Sequence, residues 1–282
     1  MAKRSSFKRT VLPTLLIYLG LLAGLVFAAF PIVWMFFTSI KSNTEIFALP
    51  PTILPKVPTL EAYRTIFSDP VKVRFFINSY FVAGVVTVLT VLIAILTAYG
   101  FSRYNFRFKN SLNIFIISTQ TVPPITLLIP YFGIVVALRI FDSYLALILT
   151  YLVFTLPYAI LLMTGYLNTL PKELDEAVLV DGGSSWTALW RVIVPVSVPG
   201  IVATAVYTFL LSWNEFLFAL TLTKSTSLRT VPIGIQLLMG QHAFEWNEMM
   251  AMSVLGSLPL LLLYLLAQRY FLADMTAGSV KS

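Results

Sequence analysis

The residues that could do chemistry in this chain are few, and their surroundings are unusual for each of them. Asn78, Gln120, Asn214 and Glu215 are polar positions within otherwise apolar runs. A charged group at mid-bilayer costs roughly 2.5–3.5 kcal/mol on insertion scales, so such groups are expected to face a cavity or a partner. Asn78 and Glu215 also fall near predicted helix ends, where that cost is small. Four of the twelve acids gather in one short stretch as Glu173, Asp175, Glu176 and Asp181. His242 is the single histidine and there is no cysteine, so thiolate metal sites, disulfides and a cysteine nucleophile are excluded. His242 sits in a polar connection beside Gln241 and reads as an exposed loop residue rather than part of a zinc site or catalytic triad. No metal site is expected, and no catalytic residue.

These residues are carried by a chain of 282 residues with 58% hydrophobic and 11% charged side chains and a mean hydropathy of +0.87. That is too apolar for one soluble core, and lipid is the solvent it requires. A net charge of +7 raises nucleic acid as a partner. However, the Lys and Arg are thinly spread without a basic stripe, which points to residues flanking membrane helices. No nucleic acid is expected.

A crossing needs about 20 helical residues, and six runs qualify, at 11–40, 75–101, 112–138, 144–167, 196–222 and 250–271. The first is too long for a signal peptide and reads as an uncleaved helix. The expected fold is all-α, one polytopic domain over 1–282 with both termini on the same side. The basic residues Lys3, Arg4, Lys8 and Arg9 place that side, with segments 1–10 and 272–282, in the cytoplasm. Arg103, Arg107 and Lys109, read as a short inner loop after the second helix, agree with that orientation. The connection 41–72 then lies outside; its proline-rich core, 49–58, excludes regular structure, and 60–67 reads as a short amphipathic surface helix. In the third run, Pro123, Pro124 and Pro130 predict a kinked helix.

The connection 168–195 is the most informative segment. Pro171 suits the first position of a helix, with the acids Glu173, Asp175 and Glu176 in its early turns where the helix dipole favours them. Leu174, Ala177, Val178 and Asp181 follow i, i+3, i+4, i+7 spacing, Gly182-Gly183 stops the helix, and Ser184 caps a second one carrying Trp186, Leu189, Trp190 and Ile193. The pattern is helix, glycine turn, helix, with apolar side chains outside the bilayer for a partner protein or a membrane surface.

The run Glu176-Ala-Val-Leu-Val-Asp-Gly-Gly-Ser-Ser-Trp-Thr-Ala-Leu-Trp-Arg-Val-Ile-Val-Pro195 resembles the EAA loop of binding-protein-dependent ABC importer permeases. Val178 replaces the usual second alanine. Further segments resemble the sugar branch, particularly the second permease subunit of maltose-type transporters: Leu60-Glu-Ala-Tyr63, Asn78-Ser79, Ala98-Tyr-Gly-Phe-Ser-Arg103, Trp213-Asn-Glu-Phe216 and Thr276-Ala-Gly-Ser-Val-Lys281.

The resemblance implies the type I importer fold and six transmembrane helices with a cytoplasmic coupling helix between the fourth and fifth. Its implied partners are a second permease subunit from a different chain, two ATPase subunits, an external solute-binding protein and a sugar substrate. Leu174, Glu176, Ala177, Val178, Asp181, Gly182 and Trp186 would meet the ATPase, and Asn78, Gln120, Asn214 and Glu215 are candidates for the translocation pathway. The chain has no Gly-x-x-x-x-Gly-Lys-Ser/Thr cradle, so ATP and Mg would be bound by the partner ATPases and no cofactor by this chain. An importer for a polyol phosphate, peptide or amino acid is the alternative. An ion-coupled transporter would need buried acidic pairs and internal repeats, and a membrane-embedded transferase a cavity-facing acid, metal or nucleophile.

Overall fold

The computed structural model describes the side chains of residues 13–240 and 245–270, with helical backbone continuing over 3–12 and 271–278. The N-terminal basic cluster, His242 and the end of the tail lie outside those described side chains.

Every long element is helical, as the apolar runs require, because lipid leaves no other partner for backbone polar groups. Four helices are long and apolar enough to cross a membrane unbroken: α1 (Lys3–Ser39), α4 (Pro70–Arg103), α7 (Tyr144–Thr169) and α14 (Trp246–Gly278). Two bent pairs pass the same test of length and apolarity together, which makes six crossings if each pair is one span. In one, α5 (Lys109–Thr119) meets the segment Pro124–Ala137, which ends in α6 (Leu128–Ala137), at 92°. In the other, the segment Ser185–Val196 meets α11 (Val198–Trp213) at 76°.

The first of these bends, and a further break beyond α11, correct the expected helices. The third span is broken rather than kinked: Pro123 and Pro124 withdraw two N–H donors in succession, and a 3₁₀ turn at Pro124–Leu127 restarts the chain in a new direction. The fifth span does not run unbroken over 196–222. Its helix stops at Trp213, and α12 (Leu217–Leu222) begins only after Asn214, Glu215 and Phe216.

The chain divides into two compact units. Residues 1–68 and 237–255 form the first, holding α1, the short helices α2 (Asn43–Ile46) and α3 (Glu61–Ser68), and the start of α14. The amphipathic segment expected at 60–67 is α3, which buries Ala62 and Ile66. α2 was not anticipated; Ser42 caps it by accepting from the Glu45 N–H at 3.3 Å. From Pro13 to Ser39, α1 exposes nearly all of its apolar side chains.

Residues 69–236 and 256–282 form the second unit, built around α4, α7 and α11. One core gathers Ala94, Ala98, Met163, Leu167, Leu189 and Ile193; a second, toward the other end of the helices, gathers Val82, Val86, Leu147, Tyr151, Phe218 and Leu222. Helix starts are fixed by local chemistry: Asp69 caps α4 ahead of Pro70, and Ser143 caps α7 by accepting from the Ala146 N–H at 3.2 Å. Gly200 on α11 lets the ring of Tyr166 lie flat against the backbone, where a Cβ would come within 2.5 Å of it.

Candidate functional site

Two places in the second unit bring the candidate residues together. The first is the connection after α7. α8 (Glu173–Val180) starts two residues later than Pro171 would place it, with Lys172 as N-cap, and the Pro171 carbonyl accepts from Arg103 Nη2 at 3.5 Å. The helix ends in a Schellman arrangement: the Gly183 N–H donates to the Val178 carbonyl at 2.8 Å and the Gly182 N–H to the Leu179 carbonyl at 3.1 Å. Gly182 has φ +80°, the left-handed conformation that favours glycine. Ser184 then caps α9 (Ser185–Ala188), accepting from the Thr187 N–H at 3.2 Å, and the chain continues through a π turn at Leu189–Ile193 into α10 (Val194–Val196). Helix, glycine turn and helix stand as expected.

The faces of this unit differ from the simple stripe. Leu174 and Trp190 pack against the core that contains Leu167 and Leu189. Glu176, Ala177 and Asp181 are exposed and Val178 is half-buried. The outward apolar surface is Leu179 at 50% exposure, Val180 at 87% and Trp186 at 62%. Leu179 and Val180 are additions that the i, i+3, i+4 spacing did not single out. They lie on the opposite side of a helix too short for its stripe to be decisive.

The anchor of the unit is Asp175, read from the sequence only as a dipole-favoured acid. It is buried, and its carboxylate receives the Arg103 Nε at 2.7 Å on one oxygen and the Tyr99 hydroxyl at 2.7 Å on the other. Arg103 Nη1 also donates to the Leu167 and Leu170 carbonyls at 3.2 and 3.3 Å, satisfying the open end of α7, where a cation is favoured. Arg103 is therefore not a solvated loop residue; it is the last residue of α4 and half of a buried ion pair whose side chains are 7% and 11% exposed. The 72 residues between the partners hide the pair from any local reading.

The second place surrounds the two breaks. Three adjoining cavities, of about 170, 540 and 400 Å³, share walls along Tyr207 and Leu211 of α11 and Glu215 just beyond it. Gln120 lines the third, Asn214 the second and Glu215 the first two. Glu215 explains the second break. Its Oε1 accepts from the Phe218 N–H at 2.8 Å, and its Oε2 from the Ala219 N–H at 2.9 Å and the Tyr151 hydroxyl at 2.7 Å. A carboxylate that satisfies the first N–H groups of α12 ends the preceding helix without a proline. Asn214 donates to the Leu210 carbonyl at 2.9 Å and remains exposed.

Asn78 stands apart from these cavities. It is fully buried, its amide donating to the Ser227 and Arg229 carbonyls at 2.8 Å each and its carbonyl accepting from the Tyr144 hydroxyl at 2.7 Å. It fastens the segment 227–229 to α4. Among the described residues no group of acidic or histidine side chains is arranged to hold a metal.

Residues 90–276 match the family described as the binding-protein-dependent transport system inner membrane component. The sulfoquinovosyl glycerol transport system permease protein SmoH of Agrobacterium fabrum is 38% identical over 91% of this chain and 90% of its own length. The trehalose/maltose transport system permease protein MalG of Thermococcus litoralis is 34% identical over 97% of this chain and 99% of its own. Among solved structures, a bacterial ABC transporter involved in the import of the acidic polysaccharide alginate has a chain that superposes with a TM-score of 0.78 at 20% identity, covering 93% of this chain and 97% of that one. That likeness is one of fold.

Proposed function

The chain belongs to the binding-protein-dependent transport system inner membrane components, and we propose on that footing that it is a transmembrane subunit of an ATP-binding-cassette importer, forming half of the translocation pathway for a sugar or oligosaccharide. Relatives whose names include trehalose and maltose transport support that substrate class. A solute-binding protein delivers the sugar and a second permease, a different chain, completes the pathway. Two ATPase subunits bind ATP and Mg and supply the energy, so this chain is a permease and not an enzyme. Both termini lie in the cytoplasm with the α8–α9 unit.

The observation that carries the reading is the build of that unit. Its outer face presents Leu179, Val180 and Trp186 with Glu176, Ala177 and Asp181 beside them, while its base is held to α4 and α7 through Asp175 and Arg103. A partner that docks on Val180 and Trp186 therefore moves the ends of two membrane helices directly. Gly182 provides the turn, Val178 lies under it, and Leu174 provides an inner anchor. In this scheme Gln120, Asn214 and Glu215 line the pathway, and Asn78 holds its wall.

The test is purification of the chain from native membranes with its associated subunits, followed by ATP hydrolysis measured with and without the sugar-loaded binding protein. Recovery of an ATPase and a second permease, with hydrolysis raised by the loaded binding protein, is the expected result. A chain that purifies alone and moves solute without an ATPase would overturn the reading. Linkage adds a second requirement: if the loaded binding protein changes the affinity for nucleotide, nucleotide must change the affinity for the loaded binding protein by the same factor.

A further inference from the structure

The turn that joins α4 to α5 belongs to neither the α8–α9 unit nor the cavities, yet it concentrates rings and cations in Tyr104-Asn-Phe-Arg-Phe-Lys109. It is held at the membrane boundary from both sides, because the apolar run of α4 ends at Phe101 and that of α5 begins at Leu112. Tyr104, Phe106 and Phe108 are all exposed, Phe108 at 65%. They are also fixed in place. Tyr104 meets the Tyr99 ring edge-on at 6.1 Å between centroids, and Phe106 meets the Phe101 ring at 5.7 Å. Lys109 closes the turn, its Nζ donating to the Tyr104 carbonyl at 3.1 Å and its N–H to the Phe106 carbonyl at 3.3 Å.

The charges of the turn are not balanced within the chain. Among the described residues neither Arg107 nor Lys109 forms an ion pair, and the buried Asp175 nearby is already taken by Arg103 and Tyr99. Arg107 is exposed, with its guanidinium 5.2 Å from the centre of the Phe108 ring. Below the turn, α5 buries none of its side chains and exposes Leu112, Ile114 and Phe115. Cations and aromatic rings thus sit at headgroup depth above an apolar helix face, the layout of a phospholipid with its headgroup over its chains. The α8–α9 unit is built differently: its exposed apolar residues stand beside Glu176 and Asp181, which an anionic surface would repel.

We infer that the turn 104–109 binds an anionic phospholipid, its phosphate group held by the Arg107 guanidinium and the Lys109 ammonium and its acyl chains lying along Leu112, Ile114 and Phe115. A guanidinium matches phosphate oxygens with two parallel donors, and Lys109 keeps two donors beyond the one given to Tyr104. The site lies at the end of α4 that carries Arg103, and the Tyr104 ring touches Tyr99, which donates to Asp175. A bound headgroup is therefore one ring contact away from the pair that anchors α8. The inference needs only that α4 and α5 are membrane segments, and it stands apart from the substrate and pathway readings.

The test places the complete importer in phosphatidylcholine discs with a fluorophore on Ile114→Cys. The chain has no other cysteine, and those of its associated subunits are replaced by serine. Quenching is titrated with phosphatidylglycerol or phosphatidylcholine brominated on the acyl chains. Phosphatidylglycerol is expected to quench at a mole fraction at least fivefold lower. Arg107→Gln/Lys109→Gln should bring the two lipids within twofold of each other, whereas the exchange Arg107→Lys/Lys109→Arg should keep the preference. Arg107→Gln alone, at an exposed side chain, should lower it at least twofold and decides the matter if the double variant does not assemble. Arg191→Gln removes an exposed cation elsewhere and should change nothing. Equal quenching by both lipids in the wild type, a preference that survives the Gln variants, or an equal loss in Arg191→Gln would each overturn the inference. So would quenching by neither lipid, or a preference that appears only once the ATPases are stripped away, since a protein would then cover the turn. Excess inorganic phosphate should leave the preference intact; its loss would make the site one for free phosphate and not for lipid.

Discussion

Tyr144 donates its hydroxyl to Asn78 Oδ1 at 2.7 Å and thereby completes the hydrogen bonding of a side chain that the sequence marks only as a polar intruder in a membrane helix. Replacing Asn78 by Leu takes the amide donor from the Ser227 and Arg229 carbonyls and leaves the Tyr144 hydroxyl with only the Arg74 guanidinium, at 3.4 Å. Each unsatisfied buried group costs about 1–3 kcal/mol. Asn78→Leu is therefore expected to lower the thermal midpoint of the purified importer while sugar affinity at room temperature stays within about twofold of wild type. A large loss of affinity in a protein of unchanged stability would return Asn78 to the pathway.

Asp175 and Arg103 predict a different kind of failure. Removing one member of a buried pair costs about 3–5 kcal/mol, because the other charge is left uncompensated. Asp175→Asn or Arg103→Leu should loosen α8 from α4, seen as new protease cleavage around 171–182 and as transport below a tenth of wild type. The double variant Asp175→Leu/Arg103→Met should regain protease resistance, since an apolar pair of similar size avoids the lone charge. It should regain little transport if the pair also transmits force.

Gly182 at φ +80° separates turn geometry from side-chain volume. A left-handed conformation costs an ordinary residue about 1–2 kcal/mol, and asparagine less. Nothing lies within 4 Å of a Cβ built at this position. Gly182→Asn is expected to keep at least half of transport, whereas Gly182→Leu should leave ATP hydrolysis running without transport. Equal behaviour of the two variants would show that the turn is not the sensitive element.

Asp142 gives a pH dependence. Hydrogen bonds from the Ser225 hydroxyl and from the Ser225 and Lys224 N–H groups, with the Lys224 charge nearby, hold its carboxyl below the usual carboxylate range. A depressed folded value means the tether is fully present above the unfolded pKa of about 4 and is lost as pH falls through the lower folded value. Hydrogen exchange at the Lys224 and Ser225 amides, corrected for its intrinsic pH dependence, should show protection that is flat from pH 7 to about 5 and falls below about 4. Asp142→Asn should show the weakened protection at all pH values.

Features set by neighbours in the chain were legible before the structure. Ser184 caps its helix and Gly182 turns it because both act within three residues. Pro123 and Pro124 marked the third span as irregular, though not that it breaks by 92°. The break at Asn214–Phe216 was missed because an acid in an apolar run was weighed as a pathway group. The same acid is a helix cap, and only the positions of the Phe218 and Ala219 N–H groups reveal it. Asp175 was hidden by a sufficient local explanation: an acid in a first turn needs no distant partner to account for it, so nothing called for Arg103. The resemblance in the 176–195 run identified the segment, and the contacts that attach it to the membrane helices are tertiary.

Tyr99 and Arg103 are one helical turn apart on α4, and they take the two oxygens of a single carboxylate. A turn of α4 about its axis by one residue, about 100°, would carry both donors away from Asp175 together. The short helix is thus keyed to one rotational setting of the long one. It can tilt with α4 or travel with it, but it has no stable register in which α4 spins or slides beneath it.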